Sequence, residues 1–218
     1  MREVGVLVSL YKQDKITTKQ TEINESLARS CILLLCSHLE NFFEDSIVDI
    51  LTFHENNNTP MNNLPDRLKV VQTLRKPLTD NLGSDKKWKI IESISQSPFT
   101  GIGNKCCQGT FDASLHLKGF ASPGSENIND LFKSIGVDNI WDLVEIKVNT
   151  NRFKKNLNNF VNRRNNITHG SAADKPTIEN VREYVRDLCA IVVVVNDILT
   201  EYLRDNFNIQ NPWSTIDR

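Results

Sequence analysis

Two stretches of this chain, residues 21–53 and 177–207, are apolar on two sides at helical spacing, and that feature restricts the fold more than any other. At about 100° per residue, 21–53 carries one arc of Ile23, Leu27, Cys31, Leu34, Leu35 and Phe42. Ile32, Leu33, Phe43, Ile47, Ile50 and Leu51 form a second arc. A helix that is apolar on two sides must be packed on two sides. Residues 177–207 behave likewise through Val181, Val185, Leu188, Ile191, Val195 and Tyr202. Helical periodicity also marks 65–74, 85–95, 127–135, and 139–149 extending through 151–169. The polar run "HENNNTPMNN" at 54–63 reads as a loop. Residues 97–125 are rich in Gly, Ser and Pro without a 3.6-residue stripe, and read as a long irregular insertion with room for a short hairpin. The expectation is an all-α, up-and-down helical bundle forming a single domain over 1–218, with 39% hydrophobic residues to fill its core.

A formal net charge of −1 speaks against a protein that coats nucleic acid or membrane over its whole surface, so any such contact must be local. The five cysteines, Cys31, Cys36, Cys106, Cys107 and Cys189, are odd in number and include no CxxC pair. A reducing cytoplasmic setting follows, with no disulfide framework and no metal site. The longest apolar run, "LCAIVVVV" from Leu188, ends at Asn196 and falls short of the roughly 20 residues a bilayer needs, and the N-terminus lacks a signal layout. A soluble protein without a membrane partner is expected.

The chemistry concentrates in "VNRRNNITHG", 161–170. With Phe153 at zero on a helical wheel, Leu157, Phe160, Val161 and Ile167 define a buried stripe centred near about 10°, and Arg164 falls at about 20°, in its middle. Arg163, at about −80°, lies at the margin and can reach water. A guanidinium on a buried face needs a carboxylate from the first long helix, or a cleft that admits an anion. Between 149 and 173 there is no acidic residue, while Arg152, Lys154, Lys155, Arg163 and Arg164 bring five positive charges, an anion-facing segment suited to phosphate. His169 sits at the last helical position before Gly170, a residue suited to C′, where an imidazole can exchange protons near neutral pH. Asn165 and His169, four apart, share a face. Arg164 and His169, five apart, diverge by about 140°. Either the last turn is distorted, or the site combines residues of two chains about a two-fold axis.

In the first long helix Glu40 falls among Phe43, Ile47 and Leu33 of the second arc, where a carboxylate needs a partner, and Arg164 is the expected one. Whether that pair is structural or catalytic stays open. Glu44 lies at the edge of the arc and reads as solvated, and His38, between Leu34 and Phe42, reads as a hydrogen-bonded core histidine.

"RNNITH", 164–169, resembles the RNxxxH signature of the HEPN superfamily (higher eukaryotes and prokaryotes nucleotide-binding), and "SHLENFFED" in the first long helix looks like that family's early-helix segment, whose acidic residue faces the arginine. The resemblance implies an α-helical bundle that dimerises and a metal-independent, cofactor-free endoribonuclease of the toxin–antitoxin and phage-defence kind. It implies catalytic roles for Arg164, His169, Asn165 and Glu40, with RNA contacts from Arg163, Asn166, Lys155 and Arg152. The partners it implies are RNA but not DNA, a second copy of the chain, and an antitoxin or defence-system protein. Two other readings stand beside it: a non-catalytic HEPN-like module that binds nucleotide or protein through Arg164, and a purely structural dimerisation domain. Elsewhere "GIGNK" at 101–105 lacks the Ser or Thr of a phosphate loop, Cys106, Cys107 and His116 do not complete a metal site, and no GxSxG or HExxH is present.

Overall fold

The computed structural model describes residues 2–9, 18–74, 111–171 and 173–216. The chain is all-α: among these residues lie the helices α1 (Arg2–Ser9), α2 (Thr18–Asn56), α3 (Asp66–Leu74), α4 (Ser114–Leu117), α5 (Ser125–Lys133), α6 (Ile140–Val148), α7 (Arg152–Thr168) and α8 (Ile178–Phe207). No strand occurs among them, and none of these helices is long and apolar enough to cross a membrane. Two compact units divide the chain, and α2 and α8 contribute residues to each.

The first unit comprises the chain up to Phe43, residues 122–125, and Trp141 to Asn196. Its core draws on both arcs of α2, with Cys31, Ile32, Leu35 and Phe43 buried. From α7 it takes Phe153, Leu157, Phe160, Val161 and Ile167, the stripe given by the wheel. The Phe160 and Tyr184 rings meet edge to face at 5.1 Å, tying α7 to α8. Trp141 is buried with its indole N–H donating to Ser125 O at 2.7 Å, so the ring enters the core without an orphaned donor.

The second unit comprises Glu44 to Ala121, Glu126 to Ile140 and Asp197 onward. Phe53, Leu68, Ile128, Phe132, Ile135 and Leu203 are buried in it. Gly136 (φ 94) ends α5 where an added Cβ would collide with the Pro65 ring, so both torsion and space demand glycine. Two histidines are sealed in this unit. His54 meets Thr59 Oγ1 at 3.2 Å among Phe53, Phe111 and Phe207, and His116 lies between Gln72 Nε2 at 2.9 Å and Ser134 Oγ at 2.8 Å. Burial pushes both imidazoles from 6.5 down to about 4. Each stays neutral in the folded chain while its unfolded counterpart takes up a proton below about 6.5, so their contribution is intact above that pH and drains away toward about 4. Going from about pH 7 to about pH 5.5 costs about 1 kcal/mol per histidine. Urea unfolding across that range should show the loss, and His54→Phe should flatten part of the slope.

Several expectations change on contact with the structure. The run 139–169 is interrupted, because Asn149 adopts φ 52 and turns the chain between α6 and α7. Asparagine tolerates this left-handed region, which also holds Asn58, Asn139 and Asn208. The loop read at 54–63 begins late, since α2 runs to Asn56 and a 3-10 turn occupies Met61–Asn63. Helix α1 is an addition to the helices that the periodicity predicts. His38 is no core histidine: it is half-exposed, with Nε2 2.8 Å from Glu3 Oε2 of α1. Ile23 and Leu33 are exposed, so the arcs of α2 are wider than its buried faces. The stretch 85–95 and most of the insertion, including "GIGNK", Cys106 and Cys107, lie outside the described residues. What is described of the insertion, 111–125, has buried Phe111 and His116, the single turn α4 and the start of α5.

Candidate active site

Helix α7 presents the arginine, and the way it ends places the histidine. His169 closes the helix with its N–H on Asn165 O at 2.9 Å. Gly170, at φ 76, donates to Ile167 O at 3.1 Å, and Ser171 donates to Asn166 O at 2.9 Å. This pair of bonds is the Schellman motif, which satisfies the last carbonyls of the helix. The imidazole of His169 is thereby carried at the tip of α7, exposed.

Arg164 is half-buried. Its Nη2 donates to Glu40 Oε1 at 3.4 Å and its Nη1 to Asn165 Oδ1 at 3.2 Å, with the two side chains of the ion pair 26% and 22% exposed. The buried-face arginine therefore has its carboxylate partner from α2 and keeps access to solvent. Cys36, one turn before Glu40, is buried with Sγ 3.6 Å from the same Oε1. Burial, and then the neighbouring carboxylate, push this thiol up to about 12, so it is a neutral donor to Glu40. Glu40, Arg164 and Asn165 thus form one cluster. The His169 side chain stands apart from it: among the described residues of the single chain no hydrogen bond or ion pair joins the imidazole to Arg164.

The other positive charges are less available than the acid-free stretch suggested. Arg163 is not free at the margin of the stripe: Nε lies 3.1 Å from Asp174 Oδ1, Nη1 donates to Asn180 Oδ1 at 3.0 Å, and the guanidinium lies 5.9 Å from the Tyr184 ring centre. Asn166 is exposed and donates to Asp174 Oδ2 at 3.2 Å. Arg152 reaches the buried Asp187 at 3.2 Å, and Asn156 donates to the same carboxylate at 2.6 Å. Lys154 and Lys155 are exposed. Asp174 and Asp187, neither singled out from sequence, thus neutralise two of the five charges. The signal for Asp174 was its place as the first acid after the basic run.

A family model described as RiboL-PSP-HEPN matches residues 6–201. The chain belongs to the RiboL-PSP-HEPN family. No curated protein and no solved structure matches it. The match runs from α1 to near the end of α8, so the Arg164 cluster and His169 both lie within it. HEPN domains are generally of the ribonuclease type, and an all-α architecture is theirs. In this RiboL-PSP-HEPN chain the arginine of "RNNITH" thus faces an acid on the first long helix, with the histidine at the helix tip.

Proposed function

We propose that this HEPN chain is a metal-independent endoribonuclease, cleaving RNA through its own 2′-hydroxyl and acting as a toxin or phage-defence effector. The observation that carries the reading is the half-exposed Arg164, held between Glu40 and Asn165 five residues before an exposed, helix-capping His169. RNA supplies the nucleophile. The reaction then needs a proton acceptor or donor and a cation for the phosphorane-like transition state. His169 takes the proton role, as base or as acid. Arg164 stabilises the added charge, Glu40 and Asn165 hold its guanidinium, and the exposed Lys155 draws the backbone toward α7.

The reacting pair is completed across a two-fold axis, where His169 of one copy approaches Arg164 of the other. Exposed apolar side chains support association: Leu143 and Ile146, i and i+3 on α6, and Val193 on α8. A cytoplasmic setting with an antitoxin or defence-system partner belongs to the same reading. Purified protein incubated with RNA should leave 2′,3′-cyclic phosphate and 5′-hydroxyl ends, be indifferent to EDTA, and spare DNA. Products ending in 3′-hydroxyl groups would sink the mechanism. A non-catalytic module gains support from the Glu40 ion pair, which suits an anchor as well as a catalyst. That alternative predicts bound RNA that stays intact.

A further inference from the structure

We infer that Arg29, Arg163 and Asp174 form a clasp that positions His169, and that Arg163 serves the site through this clasp rather than by contacting RNA. The inference rests on the ribonuclease reading for its activity arm, and on geometry alone for the rest. The chain leaves the tip of α7 at Gly170 and enters α8 after Thr177, and the described residues of this connection are fastened at both ends and in between. Its start is the Schellman closure, in which Gly170 and Ser171 bond to Ile167 and Asn166. At its end Thr177 Oγ1 accepts from Asn180 N at 3.3 Å while Asn180 Oδ1 accepts from Thr177 N at 3.2 Å, a reciprocal cap with asparagine in the place usually taken by glutamate.

Between these ends one nitrogen, Arg29 Nη2, donates to Ser171 O at 2.7 Å and to Asp174 O at 2.8 Å, taking two main-chain carbonyls that no helix satisfies. The Asp174 carboxylate turns back onto α7 and accepts from Arg163 and Asn166 with its two oxygens. Arg163 in turn reaches Asn180, so the same guanidinium links α7, the segment and the α8 cap. Lys175 adds an exposed bond to Glu25 of α2 at 3.1 Å. The backbone at His169 is therefore held by α7 on one side and by a segment tied to α2 on the other. Arg163 has its Nε and Nη1 donors engaged in this arrangement.

Arg163→Ala, Asp174→Ala and Arg29→Ala, made separately in the full chain, discriminate the two roles of Arg163. A lost RNA contact raises KM and lowers the salt slope of binding. A loosened histidine lowers kcat with KM and salt slope unchanged, and displacement of a reacting group by about 1 Å commonly costs up to about a hundredfold. We expect a kcat loss of about ten- to a hundredfold in all three variants, unchanged KM, and partial recovery in Arg29→Lys. Amide exchange at Gly170 and Ser171 should quicken in each variant, and exchange in the middle of α2 should not, which shows that the fold is retained. A raised KM for Arg163→Ala with normal kcat overturns the clasp. So does unchanged amide exchange in all three. Should the unaltered protein leave RNA intact, the ribonuclease reading fails, and exchange at Gly170 and Ser171 still decides the clasp.

Discussion

Replacing Arg164 or His169 by alanine is expected to lower RNA cleavage by about a hundredfold or more, the usual consequence of removing an aligned charge stabiliser or proton-transfer group. The two variants differ in what they do to the fold. His169 is exposed and its side chain makes no bond among the described residues, so its removal should leave urea stability unchanged within about 0.5 kcal/mol. Removing Arg164 leaves Glu40 with the Cys36 thiol as its remaining partner, a cost held to about 1 kcal/mol by the partial solvent access of the pair. Cleavage assays beside urea titrations separate these effects. Mixing the two inactive variants adds a second readout, because subunit exchange would rebuild one intact site per mixed dimer if Arg164 and His169 act across copies. A single mutant as active as the parent would remove that residue from the mechanism.

Phe160→Ala should act on the other axis, destabilising the chain by about 3–5 kcal/mol, as deletion of a fully buried aromatic ring does. Phe160 has no exposed surface and meets Tyr184 of α8 edge to face, while the Tyr184 neighbourhood also receives Arg163. Losing the ring opens a cavity at the face by which α7 docks. Stability and activity should fall together here, in contrast to His169→Ala, where activity alone falls. Thermal or urea midpoints read beside cleavage rates test the contrast, and a stable Phe160→Ala protein would mean that α7 is held chiefly by its polar bonds.

The parts of this architecture that were legible in the sequence are those governed by period. The stripe of Phe153, Leu157, Phe160, Val161 and Ile167 is buried as the wheel placed it, and Arg164 stands half-buried beside the Glu40 of α2. Those positions follow from 3.6 residues per turn and the cost of an unpaired charge. What escaped depends on which distant segments meet. Arg29 lies more than 140 residues from the carbonyls it holds, and no local pattern announces that pairing. Asp187 escaped for the same reason, its partner Arg152 lying on another helix, whereas Asp174 carried a signal only in its position, as the first acid after the basic run. The interruption at Asn149 was in principle readable, because an asparagine after an apolar helical run is a known C′ residue. The setting of His38 is not legible from α2 alone, because it depends on Glu3 of α1, a short helix far away in the sequence.

At Gly170 the chain turns at φ 76, and the room a side chain would occupy is open to 4 Å. Bulk is therefore irrelevant to this residue, and handedness decides it. An L-amino acid is disfavoured there by its own backbone, whereas a D-alanine would adopt the same torsion without strain. The turn that follows the imidazole thus owes its residue to a rule of chirality rather than to the space around it.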